Sequence, residues 1–370
     1  ITTQLFFIKL FNNNEIEVFK YSGLKNSKIL LIISTTTVLA GLIVVTIFYN
    51  FSSNLKNFYL ELKSPYTSDG KYLAVVTNNG LWIKDEVNEK IVQLAGIDRI
   101  HPLQPDNQVQ GLLAIYFEMQ EMLEICSGMD QVTLQPVAGA QGEFTAIRCI
   151  QEFHRKNGEV NRNKVIVPDS AHGTNPASAS MCGYEIIEIP SGIDGRLDLN
   201  ALKAAVGEDT AAMMITNPST LGLFETEIAE AANIVHSAGG QMYYDGANFN
   251  AILGKTNPGI MGFDAVHYNL HKTFSQPHGG GGPGSGPIGV KSHLAEFLPT
   301  PIAGRREKVD SDPELLDGDY WYFWKDVGDS SIGKVQQWNG NAGAVVRAWG
   351  FYRRYGKQLE KMSEHAVLNS

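Results

Sequence analysis

Two charged residues that close apolar runs carry the strongest chemical signal in the chain. Asp245 ends the run in Gln241-Met-Tyr-Tyr-Asp245-Gly-Ala-Asn248, and Lys272 follows Ala265-Val-His-Tyr-Asn-Leu-His271. Each run is short and β-type, and each delivers its charge where a parallel strand meets its loop, the usual place for ligands in open α/β sheets. The two residues stand 27 positions apart (272 − 245). Such a pair suits chemistry with pyridoxal phosphate (PLP). A lysine amine joins the aldehyde as a Schiff base, and a carboxylate keeps the pyridine nitrogen protonated so that the ring accepts electrons. A structural ion pair at a sheet edge would use the same two residues, so the neighbouring motifs decide how far the reading goes.

Ala138-Gly-Ala140-Gln141-Gly142-Glu143 follows a strand-like run and opens a helical pattern. Small residues let the backbone approach an anion, and free N–H groups at a helix start hold a phosphate. A tight strand-to-helix turn would also need the glycines. No Lys or Ser/Thr follows in P-loop spacing, which disfavours a nucleoside triphosphate. Ser170-Ala-His172-Gly-Thr-Asn175-Pro176 leaves another strand end, where a histidine either stacks on a flat ring or bonds within its own loop. Thr216-Asn-Pro218-Ser219-Thr220-Leu-Gly222 is rich in hydroxyls and reads as a ligand contact or a capped turn. The glycines of His278–Gly286 permit close approach by a ligand and equally suit an unstructured loop. Within them Gly284-Ser-Gly286-Pro-Ile-Gly289 spells G-x-G-x-x-G, but no strand leads in and Pro287 interrupts, so no dinucleotide site is expected. His267 and His271 have the spacing of helical metal ligands; on a strand that spacing only shares a face, and no metal site is expected.

With 370 residues the chain is long enough for about two domains. A net charge of −9 leaves no basic footprint for nucleic acid. Cys126, Cys149 and Cys182 are too far apart for a C-x-x-C pair, so reduced core thiols are expected. The average composition hides a break. Ile29–Phe48 is an uncharged run of 20 residues, long enough to span a bilayer, and Lys20, Lys25 and Lys28 before it favour a cytoplasmic N-terminal side. Beyond it, Asn78-Asn-Gly80 between two β-rich runs marks a hairpin. From about Gly96 the pattern alternates. Strand-like runs cover Gln131–Gln135, Lys164–Val167, Glu185–Ile189, Ala211–Thr216, Gln241–Tyr244 and Ala265–Leu270. Helical periodicity covers Asn107–Ile125, Gly142–Arg155, Leu199–Val206 and Glu225–Ala238. Alternation of this kind implies a mostly parallel sheet covered on both faces.

On these motifs residues 98–370 resemble the P-protein of the glycine cleavage system in its subunit 2 form. The resemblance runs through His101-Pro-Leu-Gln-Pro105, Leu134–Glu143, Ser170–Ala177, Asp245–Asn248, Asn269–Phe274, Pro277–Gly284 and Ser331-Ile-Gly-Lys-Val335. It implies an α/β chain of PLP-dependent transferase fold type I, with an aspartate-aminotransferase-like large domain over residues 97–370. It also implies Lys272 as the Schiff-base lysine, Asp245 as partner of the pyridine nitrogen and His172 stacked on the ring. Backbone amides of Ala140 and Gln141 would hold the phosphate, with Asn248 and His271 nearby. The implied reaction is decarboxylation of glycine with transfer of the aminomethyl group to the lipoyl arm of H-protein, in the cytoplasm and with a homologous subunit 1. Another PLP-dependent lyase or transaminase is the nearest alternative. Residues 1–96, through Asn78-Asn-Gly-Leu-Trp-Ile-Lys-Asp85, more distantly resemble a lipopolysaccharide-export ABC transporter permease, implying a membrane transport component or a fusion. The family begins with its own N-terminal arm and continues past Asn369 into a small C-terminal domain. A fused or mis-assembled gene is therefore expected, and this chain alone is expected to bind PLP poorly and turn over little glycine.

Overall fold

The computed structural model describes three strands within residues 72–94 and residues 109–369, apart from 279–281, 311 and 313–318. All of them fall in one compact unit, Pro65–Ser370. The apolar run 29–48 lies outside the described residues, and among those described no helix is long and apolar enough to cross a membrane.

The first three strands, β1 (Tyr72–Thr77), β2 (Gly80–Asp85) and β3 (Lys90–Leu94), form an antiparallel sheet in the order β1-β2-β3. Thr77 stands opposite Gly80, the hairpin that the Asn-Asn-Gly signal predicts.

The larger sheet has seven strands: β4 (Gln131–Thr133), β5 (Lys164–Pro168), β6 (Glu185–Ile189), β7 (Thr210–Ile215), β8 (Gln241–Gly246), β9 (Ala265–Tyr268) and β10 (Ile288–Val290). Their order is β4-β10-β9-β8-β7-β5-β6. β10 runs antiparallel to both neighbours, and the pairs among β5 to β9 are parallel. Sequence reading misses β10 because three residues behind a proline show no periodicity. Its consequence is large. Ile288 pairs with His267 near the end of β9, so the chain both leaves β9 and enters β10 at the carboxyl edge of the sheet.

Helices cover both faces. On one face α1 (Gln110–Ser127), α4 (Leu199–Ala205), α5 (Ile228–Ser237) and α7 (Ala342–Tyr355) bury residues with Ile166, Met213, Ile215, Met242, Tyr244, Val266 and Tyr268. On the other, α2 (Gly139–Lys156) and α3 (Thr174–Met181) pack with Val165, Val167, Ala212, Met214, Tyr243, Ala265, Ile288 and Val290. The alternation is the two-residue period of a strand with both sides buried. The segment from Thr174, read from sequence as loop, is helical because Pro176 falls in the first turn, where a missing N–H costs nothing. Two short pieces complete the chain: a hairpin of β11 (Ile302–Glu307) and β12 (Tyr320–Lys325), and after α6 (Pro258–Met261) and α7 a last helix α8 (Leu359–Leu368). Cys126, Cys149 and Cys182 are free thiols.

Candidate active site

Asp245, the second-last residue of β8, is only 4% exposed. Asn175, in the first turn of α3, donates Nδ2–H to Asp245 Oδ2 at 3.1 Å, and the Ala247 N–H reaches Oδ1 at 3.1 Å. His267 lies directly opposite on β9, its Nε2 at 3.5 Å from Oδ1. Among the described residues no lysine or arginine pairs with this carboxylate. A buried anion without a counter-charge is costly, and the two hydrogen bonds from Asn175 and Ala247 offset only part of that. The site is built to receive a cation.

The amino end of α2 lies at the same edge. Its N-cap, Ala138, offers no side-chain cap. Gly142 N already bonds Ala138 O, so the helix presents the N–H groups of residues 139–141 and the positive end of its dipole. Gly139 packs so closely that a Cβ would come within 2.9 Å of Asn269 Oδ1 and 3.3 Å of His267 Nε2. The Gln141 side chain accepts from Val137 N–H at 2.8 Å and donates to Val335 O at 2.6 Å. Its backbone N–H is left for an anion, the role expected of it. Ala140 is exposed.

Lys272 is exposed in the turn after β9, its backbone N–H bonded to Asn269 O at 3.0 Å. The ammonium has no hydrogen-bond or ion-pair partner among the described residues. The next residue explains how the turn is held beside Asp245. Thr273 Oγ1 accepts from Phe249 N–H at 2.9 Å and donates to Asn250 Oδ1 at 2.6 Å, clamping the lysine turn to the loop after β8. Asn248 is exposed in that loop. His271 Nδ1 accepts the Ser285 N–H at 3.1 Å, which leaves the ring proton on Nε2. Burial, followed by the charges of His278 and Lys272, lowers its pKa. The ring is therefore a neutral donor near the cradle.

His172 is exposed at the start of α3, its Nδ1 2.7 Å from Thr174 Oγ1. The Thr174 hydroxyl donates to Glu143 Oε1 at 2.7 Å. His172 Nδ1 also accepts the Thr174 N–H at 3.3 Å. Glu143, 3% exposed, also accepts from Ser178 Oγ at 3.0 Å. The ring is thus fixed from behind by a buried carboxylate.

Every residue expected at the site therefore lies at the carboxyl edge of the sheet: Lys272, Asp245, His172, His271, Asn248 and the Ala140–Gln141 amides. The remaining motifs have other surroundings. Thr216–Gly222 is largely a tied turn, with Asn217 Oδ1 accepting Glu225 N–H at 2.9 Å and Asn217 O accepting the Tyr244 hydroxyl at 2.5 Å. The G-x-G-x-x-G run leads into strand β10 rather than a helix. His267 is buried in β9 and His271 lies in the turn beyond, and among the described residues no group of three His, Cys, Asp or Glu is placed to hold a metal.

Sequence reading assigned no role to Asn175, Glu143, Thr273, Asn269 or Ser285. Only burial distinguishes them, and burial of a small polar residue leaves no periodic trace. Three of them carry buried polar atoms without partners, Asn269 Oδ1, Ser285 Oγ and Asn175 Oδ1, as do His267 Nε2 and Thr216 Oγ1. Folded proteins leave few such atoms, and their concentration at one edge marks a place where a polar ligand belongs.

Comparison with known proteins agrees with this geometry. No family model matches the chain. Over 286 residues, 77% of this chain, it is 52% identical to a protein named probable glycine dehydrogenase (decarboxylating) subunit 2 from Listeria monocytogenes. This stretch is similar in sequence to that subunit. The same description belongs to a protein from Halalkalibacterium halodurans, 53% identical over 286 residues. The chain spans about half the length of these curated relatives, 56% of each. Among solved structures, a glycine decarboxylase (P-protein) of the glycine cleavage system superposes with a TM-score of 0.55 at 20% identity, covering 72% of this chain and 57% of that one. That likeness establishes a shared fold.

One glycine tests the cradle. A Cβ at Gly286 would stand 2.0 Å from Ala138 O and 2.9 Å from Gly139 N, backbone that cannot swing aside. Gly286→Ala is expected to displace the start of α2 and destabilise the fold by about 1–3 kcal/mol, the usual cost of overpacking. Binding of inorganic phosphate should weaken in parallel. Chemical unfolding and phosphate titration measure the two effects.

Proposed function

We propose that this chain is the PLP-binding part of a glycine-decarboxylating enzyme that passes the aminomethyl group to the lipoyl arm of a carrier protein. One observation carries the reading: a buried carboxylate lacking a cation, an uncapped helix start and a partnerless lysine share one edge of the sheet. A cofactor joining a phosphate, an aldehyde and a basic aromatic nitrogen satisfies all three at once, and the orphaned polar atoms of Asn269 and Ser285 fit the same occupant. The homologous subunit supports the choice of glycine.

In this reading Lys272 holds the aldehyde carbon through its amine and Asp245 holds the ring nitrogen as a cation. The amides of Ala140 and Gln141 hold the phosphate, helped by His271 and Asn248. When bound, PLP supplies an electron sink for the pair left behind as CO2 departs. The chain's own residues do the rest. Asn175 and Ala247 hold the Asp245 carboxylate in one orientation, so the contact is preorganised when the transition state forms. Thr174, itself held by Glu143, fixes the His172 ring through Nδ1 and leaves Nε2 to exchange a proton. The amine of Lys272, reached from solvent, can take up and release protons at Nζ.

The division of the chain near residue 96 and the permease-like, membrane-associating reading of residues 1–96 rest on sequence. So do a cytoplasmic enzyme part, a homologous subunit 1 and a lipoylated H-protein as partner.

The test is reconstitution of the full chain with PLP, a relative's subunit 1 and lipoylated H-protein, using glycine labelled at its carboxyl carbon. Labelled CO2 is expected from glycine and from no larger amino acid. Release from larger amino acids alone would place the chain among other PLP-dependent lyases.

A further inference from the structure

We propose that Tyr243 and His267 form a buried relay that keeps a hydrogen on His267 Nε2 facing Asp245, and that this hydrogen sets how tightly the site holds a cationic aromatic nitrogen. The inference rests on the PLP reading above and adds two residues to it.

Tyr243 and Asp245 are two apart on β8 and so share a face, and His267 on β9 stands opposite Asp245 and diagonal to Tyr243. Tyr243 and His267 are both fully buried. The Tyr243 hydroxyl lies 2.5 Å from His267 Nδ1, and the two rings are nearly parallel, 11° apart with centroids at 6.1 Å. Which group donates follows from the surroundings. Burial, reinforced by the nearby carboxylates of Glu143 and Asp245, pushes the phenol far above its ordinary range, so Tyr243 keeps its hydrogen. It gives that hydrogen to Nδ1, because among the described residues its oxygen has no other hydrogen-bond partner. A neutral imidazole that accepts at Nδ1 carries its own hydrogen at Nε2. That atom is buried, has no close hydrogen-bond partner, and lies 3.5 Å from Asp245 Oδ1.

The two ring tautomers are therefore not equivalent for Asp245. With Nε2–H the ring turns the positive end of an N–H dipole toward Asp245 Oδ1, 3.5 Å away, and favours the carboxylate. With Nδ1–H a lone pair would face the carboxylate in a low-dielectric interior, where such repulsion is strong. Asp245 would then do better protonated, and a protonated acid holds a pyridinium poorly. Tyr243 sets the tautomer, His267 transmits it, and Asp245 makes the contact. Both residues act as positioning residues.

Tyr243→Phe removes one oxygen and keeps the ring. In the full chain, nitrogen-15 spectra of the imidazoles should show His267 as Nε2–H in the wild type and a mixture in the variant. Binding is then measured with PLP and with its 1-deaza analogue, in which carbon replaces the ring nitrogen. PLP should bind the variant about tenfold more weakly, equivalent to ~1.4 kcal/mol, while the deaza analogue binds both proteins alike. Equal weakening of both molecules would show a merely structural role and overturn the relay, as would an Nδ1–H tautomer in the wild type. Should wild-type protein bind neither molecule, the PLP reading falls and the relay is judged on the tautomer alone, which needs no variant.

Discussion

Lys272→Ala protein titrated with PLP is expected to stay colourless, whereas the wild type turns yellow as its lysine joins the aldehyde. Decarboxylation should fall by at least roughly 10²–10⁴-fold, the range set by loss of a positioned proton-transfer group alone. The fold should not notice. The Lys272 side chain is exposed and without hydrogen-bond or ion-pair partners among the described residues, and changes at such positions stay within about 0.5 kcal/mol. Absorbance with PLP and chemical unfolding without it check the two halves. A yellow, sodium-borohydride-reducible adduct in the variant would assign the covalent role to a different amine.

Asp245→Asn is expected to separate function from stability in the opposite sense. The carboxylate is 4% exposed and has only neutral donors around it, so it carries a desolvation cost that an amide avoids. Without PLP, the variant should unfold at or above the wild-type temperature. With PLP, the stabilisation that a bound ligand confers should shrink, and activity should fall by roughly 10²–10³-fold, the usual effect of removing one preorganised electrostatic contact. Thermal unfolding with and without PLP, together with labelled CO2 release, measures both. If the variant lost stability without cofactor and kept its affinity for PLP, Asp245 would be a structural residue and the site would need another partner for the ring nitrogen.

The two substitutions also show how differently the two residues are held. Lys272 is presented by its neighbours: Thr273 binds the loop after β8, and the Lys272 N–H binds Asn269. Asp245 is enclosed, with Asn175 brought from α3 and His267 from the next strand. A presented residue can be removed quietly, whereas removal of an enclosed one changes the balance of the core around it.

The sequence by itself determined the parallel strands β5 to β9, the helices between several of them, and the edge at which Asp245, Lys272, His172 and the start of α2 would gather. Strand runs such as Lys164–Pro168 and Gln241–Gly246 are legible because burial on both faces demands unbroken apolar residues, and a charge closing such a run can only be at its end. Local composition could not reveal β10, whose three residues reverse direction and bring Ser285 and Gly286 back over the cradle. It was equally silent on Asn175, Glu143, Thr273 and the Tyr243–His267 pair. Their roles come from contacts between residues 24 to 70 positions apart, and a partner's distance along the chain carries no periodic signal. Tertiary structure alone decided which polar groups would be buried together, because only packing fixes which of many similar side chains loses its water.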